Sequence, residues 1–167
     1  GKFSTSGTGA AVYSIDLNMP KAIGTMIPKI SLVYNSQGGN GIVGWAWTLS
    51  GISSIERIGQ TEYHDGNITA VDFVNDRFVM DGQRLMLIDG THGTDNSIYK
   101  TEIDNMDMIK CHSNSAGPDY FVVMKNDGTI WEYGNSYDAK LEAQTDSRII
   151  LKWCLNKISD RLGNSID

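Results

Sequence analysis

Cysteine is nearly absent: the 167 residues contain two, Cys111 and Cys154. Two are too few for the disulfide framework that staples small secreted folds. They are read either as one bridge in an exported chain or, more simply, as two small buried or half-buried thiols. Basic clusters are missing too. Lys and Arg number 14 against 20 Asp and Glu, a net charge of -6, and no basic run occurs. That argues against a nucleic-acid surface, which needs clustered cations to neutralise phosphate. The acidic balance mainly favours solubility. No stretch approaches the about 20 apolar residues of a membrane-spanning helix. No charged-then-apolar leader opens the chain; Gly1-Lys2-Phe3 reads as a start cut from something longer.

What is present is strand and turn chemistry. Ala11, Tyr13, Ile15 and Leu17 alternate with Val12, Ser14 and Asp16, the period expected of a strand with one buried face. Pro20 ends that run, and Gly24 and Pro28 punctuate the crossing to a second strand through Ile30, Leu32 and Tyr34. Four glycines follow at Gly38, Gly39, Gly41 and Gly44, and then Trp45 and Trp47. Glycine serves where backbone takes a positive φ or approaches another backbone closely, and tryptophan buries a large apolar area. The stretch from Tyr34 to Gly51 is therefore expected to be the packing centre, with Val43, Trp45, Trp47 and Leu49 facing the core together.

Four Asp-Gly pairs mark turns, at 65–66, 81–82, 89–90 and 127–128. Asp81-Gly82 lies between two apolar runs and predicts a two-residue hairpin loop with Met80 opposite Gln83. Asp127-Gly128 predicts a second, with Lys125 facing Ile130 and Met124 facing Trp131. Helix is scarce: Asp138 to Asp146 has the pattern of two turns capped by Asp138. Arg148 to Ile158 fits either period, and its β-branched and aromatic content favours strand. His112 to Val123 contains Gly117-Pro118 and is expected to begin as a loop. The fold class is all-β, built from antiparallel hairpins and meanders with at most one short helix, in a single domain over 1–167.

Patterns that resemble catalytic or ligand motifs each fail on a physical requirement. Gly39-Asn40-Gly41-Ile42-Val43-Gly44 has the spacing of a dinucleotide-binding fingerprint. That chemistry needs a helix opening inside the motif, and Trp45 to Leu49 alternates like a strand, with Gly51 soon after. The glycine loop is thus read as structural, with no cofactor. Cys111 and His112 are adjacent, so on a strand they point to opposite faces and form no dyad. His64, His92 and His112 lack zinc-ligand spacing. Asp104-Asn105-Met106-Asp107 and Asn126-Asp127-Gly128 fall short of a calcium loop and read as turns. No G-x-S-x-G nucleophile elbow occurs. Catalytic, cofactor and metal residues are therefore all assigned as none.

A resemblance adds to this. Pro28 to Ser36 follows P-x-L-x-L-x-Y-N-S, with Tyr34 and Asn35 in place, and Gly39-Asn40-Gly41 supplies G-N-G. Gly44, Trp45 and Trp47 stand in a variant of L-G-x-G-W-x-L, followed by Ile55 and Arg57. This run closely resembles the SpvB-type N-terminal domain of plasmid-virulence toxin B proteins and of the B component of insecticidal toxin complexes. Asp76 to Leu85, with Asp81-Gly82, matches a second block of that family, and Phe121 to Gly134, with Asp127-Gly128, a third. Residues 150–167 are similar to the lead-in to Rhs/YD repeats. One departure is plain: Ala46 stands where the family has its second glycine, after Gly44 and an extra Trp45, so the backbone there is expected to avoid a glycine-only conformation.

The resemblance implies a non-enzymatic structural domain, part of a larger β-rich shell that encloses or delivers a C-terminal toxin. Its partners would be the rest of an Rhs-type chain and other toxin-complex subunits, and its location secreted or at the cell surface. The nearest approach to the E-x-E of the ADP-ribosyltransferase found in some members is Glu142-Ala143-Gln144, which ends in an amide. The alternative is a glycan- or protein-binding β module using exposed aromatics such as Tyr63, Trp131 or Tyr137. A solvent-facing aromatic row would favour it.

Overall fold

Strand dominates the chain, and among the described residues every strand pairing is antiparallel. The computed structural model describes residues 1–18, 29–41, 43–146 and 148–167. The crossing marked by Pro20, Gly24 and Pro28 lies outside them. The described residues form two compact units, Gly1–Ile52 and Ser53–Asp167.

The first unit holds β1 (Lys2–Thr5), β2 (Ala11–Asp16), β3 (Ser31–Asn35), β4 (Asn40–Gly41), β5 (Gly44–Trp45) and β6 (Trp47–Ser50). β1, β2, β3 and β6 make one sheet in that order, and β4 pairs separately with β5. Its registers place Ile15, Leu32 and Leu49 side by side on the apolar face.

The second unit holds β7 (Ser54–Ile58), α1 (Glu62–Asp65), β8 (Arg77–Met80), β9 (Gln83–Asp89), β10 (Ile98–Thr101), β11 (Met108–Asn114), β12 (Gly117–Met124), β13 (Ile130–Tyr133), β14 (Lys140–Glu142), β15 (Ile150–Ser159) and β16 (Ser165–Ile166). Pairing runs from β13 through β12, β11, β10, β9, β8 and β7 to β15, and β15 returns to β13. The circuit closes as a barrel, which leaves no free edge among its members. Alternate side chains of these strands fill the inside, as expected of a barrel this narrow. Ile55, Phe78, Tyr99, Ile109, Cys111, Phe121, Val123, Tyr133 and Trp153 are essentially inaccessible to solvent.

Several expectations are corrected here. The packing centre is Trp153 inside the barrel, not the Trp-x-Trp stretch: Trp153 is 0% exposed, while Trp45 is 71% and Val43 41% exposed. Trp47 and Leu49 are only half-buried. Gly44 at φ 118 and Ala46 at φ 64 break the strand between Gly41 and Trp47, so the alternation does not carry through. The left-handed Ala46 also overturns the expectation that its methyl marks an ordinary conformation. An L-residue there carries a cost of roughly 1–2 kcal/mol.

The Asp81-Gly82 turn forms as expected, with Met80 opposite Gln83 and both turn residues at positive φ. The other hairpin is shifted by one: Met124 pairs with Ile130 and Val123 with Trp131. Lys125 N–H donates to the Thr129 carbonyl and Gly128 N–H to that of Lys125, so the loop has three residues with Gly128 left-handed. That is a turn followed by a bulge rather than a two-residue connection. The helix expected over 138–146 is a 3-10 turn at Tyr137–Ala139 running into β14. His112 lies within β11, and Gly117-Pro118 opens β12, where a proline's missing N–H is tolerated. Asp65-Gly66 ends the short α1, with Gly66 as its left-handed cap.

Candidate functional site

The clearest surface feature grows from the register of the four-stranded sheet. Phe3 lies opposite Tyr13, Tyr13 opposite Tyr34, and Tyr34 opposite Trp47. Directly opposed residues share a face, so four aromatic side chains cross the sheet in one row. Phe3 is 70% exposed and Tyr13 38%, while Tyr34 and Trp47 are half-buried. The Tyr34 and Trp47 rings lie 5.5 Å apart with a tilt of 57°. None of the four was marked from sequence as part of a row, because Phe3 and Trp47 come together only through three strand pairings.

The glycine loop lies between the inner two members of this row. Asn35 N–H donates to the Ala46 carbonyl at 2.8 Å, Ala46 N–H to the Gly39 carbonyl at 2.8 Å, and Gly38 N–H to the Asn35 carbonyl at 2.7 Å. The Asn35 side chain accepts the Gln37 N–H. A methyl on Gly41 would come within 2.3 Å of the Trp47 carbonyl oxygen, so close approach is what requires glycine there. Gly39 and Asn40 are exposed, and Asn40 pairs with Trp45. Where a dinucleotide site needs a helix, the chain continues as β5 and β6.

In the second unit the polar side chains are largely spent on one another. Asp81 of the hairpin tip accepts from Ser53 Oγ at 2.6 Å and Ser54 N–H at 3.0 Å. Ser53 also meets the Tyr133 hydroxyl at 2.8 Å, and burial raises the pKa of that phenol. The two loops weighed as calcium ligands do meet, but around a lysine. Asp107, 3% exposed, accepts from Lys125 Nζ at 2.8 Å, Asn105 Nδ2 at 2.8 Å and Asn126 N–H at 3.1 Å. Asp127 instead accepts from Thr129 within its own turn. Lys125 also sits 4.7 Å over the Trp131 ring, whose Nε1 donates to Thr129. Among the described residues, no three His, Cys, Asp or Glu gather in a way that would hold a metal.

Cys111 and Cys154 are both free thiols. Cys111 faces into the barrel, where burial pushes its pKa up and blunts it as a nucleophile. His112 points the other way and stacks on Tyr120 at 4.4 Å. Cys154 lines an open depression of about 600 Å³ with Glu132, Asn135, Asp138, Asn156 and Lys157. There Asn135 is held by Glu132 Oε2 and Asn156 Oδ1. Tyr63 and Tyr137, 88% and 85% exposed, sit on α1 and on the 3-10 turn, and Trp131 on β13.

Comparison with known proteins follows from this architecture. A family model described as SpvB, the Salmonella virulence plasmid 65kDa B protein, matches residues 5–167. Among solved structures, the Photorhabdus luminescens Tc holotoxin pore superposes with a TM-score of 0.71 at 19% identity, over 95% of this chain and 8% of that one. The TcdB2-TccC3 crystal structure gives 0.70 at 18% identity, over 98% of this chain and 8% of that one. The N-terminal domain of effector protein SpvB from Salmonella typhimurium strain LT2 gives 0.63 at 20% identity, over 87% of this chain and 50% of that one. At these identities the likeness is one of fold. The chain spans 8% of the length of the two toxin-complex chains. No curated protein sequence matches it.

Proposed function

Since this chain belongs to the SpvB family, we propose that it is a non-catalytic structural domain of a larger Rhs-type, toxin-complex-like protein, secreted or displayed at the cell surface. In that role it forms part of the wall of a shell that encloses or delivers a C-terminal toxin. The observation that carries this reading is the closed barrel packed with its own side chains. Large aromatics occupy the interior and the buried carboxylates Asp65, Asp76 and Asp107 are matched by Arg84, Arg57 and Lys125. A filled barrel whose buried carboxylates are all paired is a rigid building element. The likeness to toxin-complex structures supports the same assignment, as does the resemblance of 150–167 to the lead-in of YD repeats. Its partners would then be the remainder of its own chain and other complex subunits.

The test is a deletion of residues 1–167 from the parent protein, followed by limited proteolysis. The C-terminal segment should become sensitive to protease in the deleted form and resist it in the intact one. Equal protection in both would remove the wall assignment.

The aromatic row supports a second reading, a glycan-binding β module. Aromatic faces stack on sugar rings, and the Phe3–Tyr13–Tyr34–Trp47 row is an extended platform partly open to solvent. Calorimetric titration with cello- and chito-oligosaccharides distinguishes the two. Saturable binding lost in Tyr13→Ala, with an unchanged melting temperature, would establish the module; no heat of binding would dismiss it.

A further inference from the structure

The loop joining β9 to β10 is fastened to the barrel at several points, and one of them is titratable. His92 stacks on Phe78 at 4.7 Å and 22°, and meets Tyr99 edge-on at 5.7 Å. Phe78 in turn contacts Tyr99, Phe121 and Trp153 at 5.9, 5.4 and 5.7 Å. The imidazole is therefore the outer plate of the aromatic cluster that fills the barrel. Its Nδ1 lies 3.2 Å from the Tyr99 hydroxyl. The same hydroxyl accepts the Gly93 N–H at 2.7 Å, so ring and loop backbone share one anchor. Further along, Asn96 N–H donates to the Cys111 carbonyl at 2.9 Å.

The carboxylates around this ring are already engaged by arginines. Arg57 of β7 is paired with Asp76, and Arg77 of β8 and Arg84 of β9 are both paired with Asp65. From β10 the ring faces Tyr99, a phenol that burial keeps neutral. Asp95 of the loop is turned to the Ser113 N–H and to His112 at 3.6 Å. A proton on His92 would add an unpaired cation beside three guanidiniums. With the Tyr99 hydroxyl assigned as donor to Nδ1, it would also turn that nitrogen from acceptor into donor.

The geometry points to an acid-sensitive latch: neutral His92 clamps the β9–β10 loop onto the aromatic end of the barrel, and protonated His92 lets that loop go. Burial, with Arg77, Arg57 and Arg84 nearby, lowers the pKa of the clamped imidazole. In the released loop it returns to the ordinary value of about 6.5. The clamped form thus binds fewer protons. Its stability is fully present above about pH 6.5 and declines as pH falls toward the lower, clamped value.

Hydrogen exchange at the Gly93 and Asn96 amides, corrected for intrinsic rates, tests this between pH 7.5 and 5. The opening constant should rise by up to about tenfold per pH unit below about 6.5, the slope for uptake of one proton. His92→Phe, which keeps a ring on Phe78 without a proton, should flatten that rise. The Lys125 amide, bonded to the Thr129 carbonyl in a distant hairpin, should not follow it. An equal rise in His92→Phe, or a parallel rise at Lys125, would overturn the latch. If the variant does not fold, an NMR titration of His92 in the unaltered protein decides: a midpoint below 6.5 supports the latch, and one at or above 6.5 overturns it.

Discussion

Replacing Trp153 with alanine should destabilise the protein by about 3–5 kcal/mol, the range for deleting a large aromatic from a packed core. Its indole is 0% exposed and lies edge-on to Phe121 at 4.9 Å and to Phe78 at 5.7 Å. The Arg57 guanidinium stands 5.4 Å over the ring, and Nε1 donates to the Asp119 carbonyl at 2.9 Å. Truncation therefore opens a cavity, removes the ring beneath the Arg57 guanidinium and leaves the part-buried Asp119 carbonyl without its donor. Urea unfolding of three single variants makes the comparison. Trp153→Ala should show the largest loss, Trp47→Ala an intermediate one, and Trp45→Ala almost none, because Trp45 is mostly in solvent. A Trp153→Ala midpoint equal to wild type would mean that the barrel interior is not the stabilising core.

The second large effect is expected at Asp65. Its carboxylate accepts two hydrogen bonds from Arg84 Nη2, at 2.8 and 2.7 Å, one from Arg77 Nε at 2.9 Å, and the Thr61 N–H at 2.9 Å. The side chains of Asp65 and Arg84 are 5% and 7% exposed. Asp65→Ala leaves the Arg84 charge buried without its partner, a change that costs on the order of 3 kcal/mol. The double variant Asp65→Ala with Arg84→Met should recover part of the loss, since no charge is then stranded.

The same site predicts a pH dependence. Burial by itself would raise the Asp65 pKa, but the Thr61 N–H and the Arg84 and Arg77 guanidiniums hold it at about 2. In the unfolded chain it returns to about 3.9. The stabilisation is thus complete above about pH 4 and is lost as pH falls from there toward 2. Acid unfolding followed by tyrosine and tryptophan fluorescence should shift less steeply over that range in Asp65→Asn. An identical acid transition in the variant would show that this carboxylate does not govern acid stability.

Local chemistry was enough for some elements of this fold and not for others. Asp81-Gly82 could be placed to the residue because both positions need positive φ, a demand met within four residues of chain. The strand nature of Ile150–Ser159 followed from composition, since its β-branched and aromatic side chains suit a pleated surface. The second hairpin kept its tip but slipped by one residue. Its loop length is set partly by Asp107, which binds Lys125 Nζ and the Asn126 N–H from 18 and 19 residues away. The two turns of helix expected from Asp138 gave way to β14, because Lys140–Glu142 finds a partner in β15.

The candidate site was less legible still. Tyr34, Asn35, Gly39, Asn40, Gly41, Gly44, Trp45 and Trp47 could be singled out as one stretch, but not the row that joins Tyr34 and Trp47 to Phe3 and Tyr13. Nor could the sequence rank its tryptophans. Period and composition determined by themselves that the chain is antiparallel β with glycine-dependent turns, because those signals act over a few neighbouring residues. Which tryptophan became the core, which carboxylates met which arginines, and where His92 came to rest were decided only by tertiary structure. The physical reason is closure: β15 joins β7 to β13 across about a hundred residues of chain, and only in the closed barrel do Trp153, Phe78 and Arg57 share one interior.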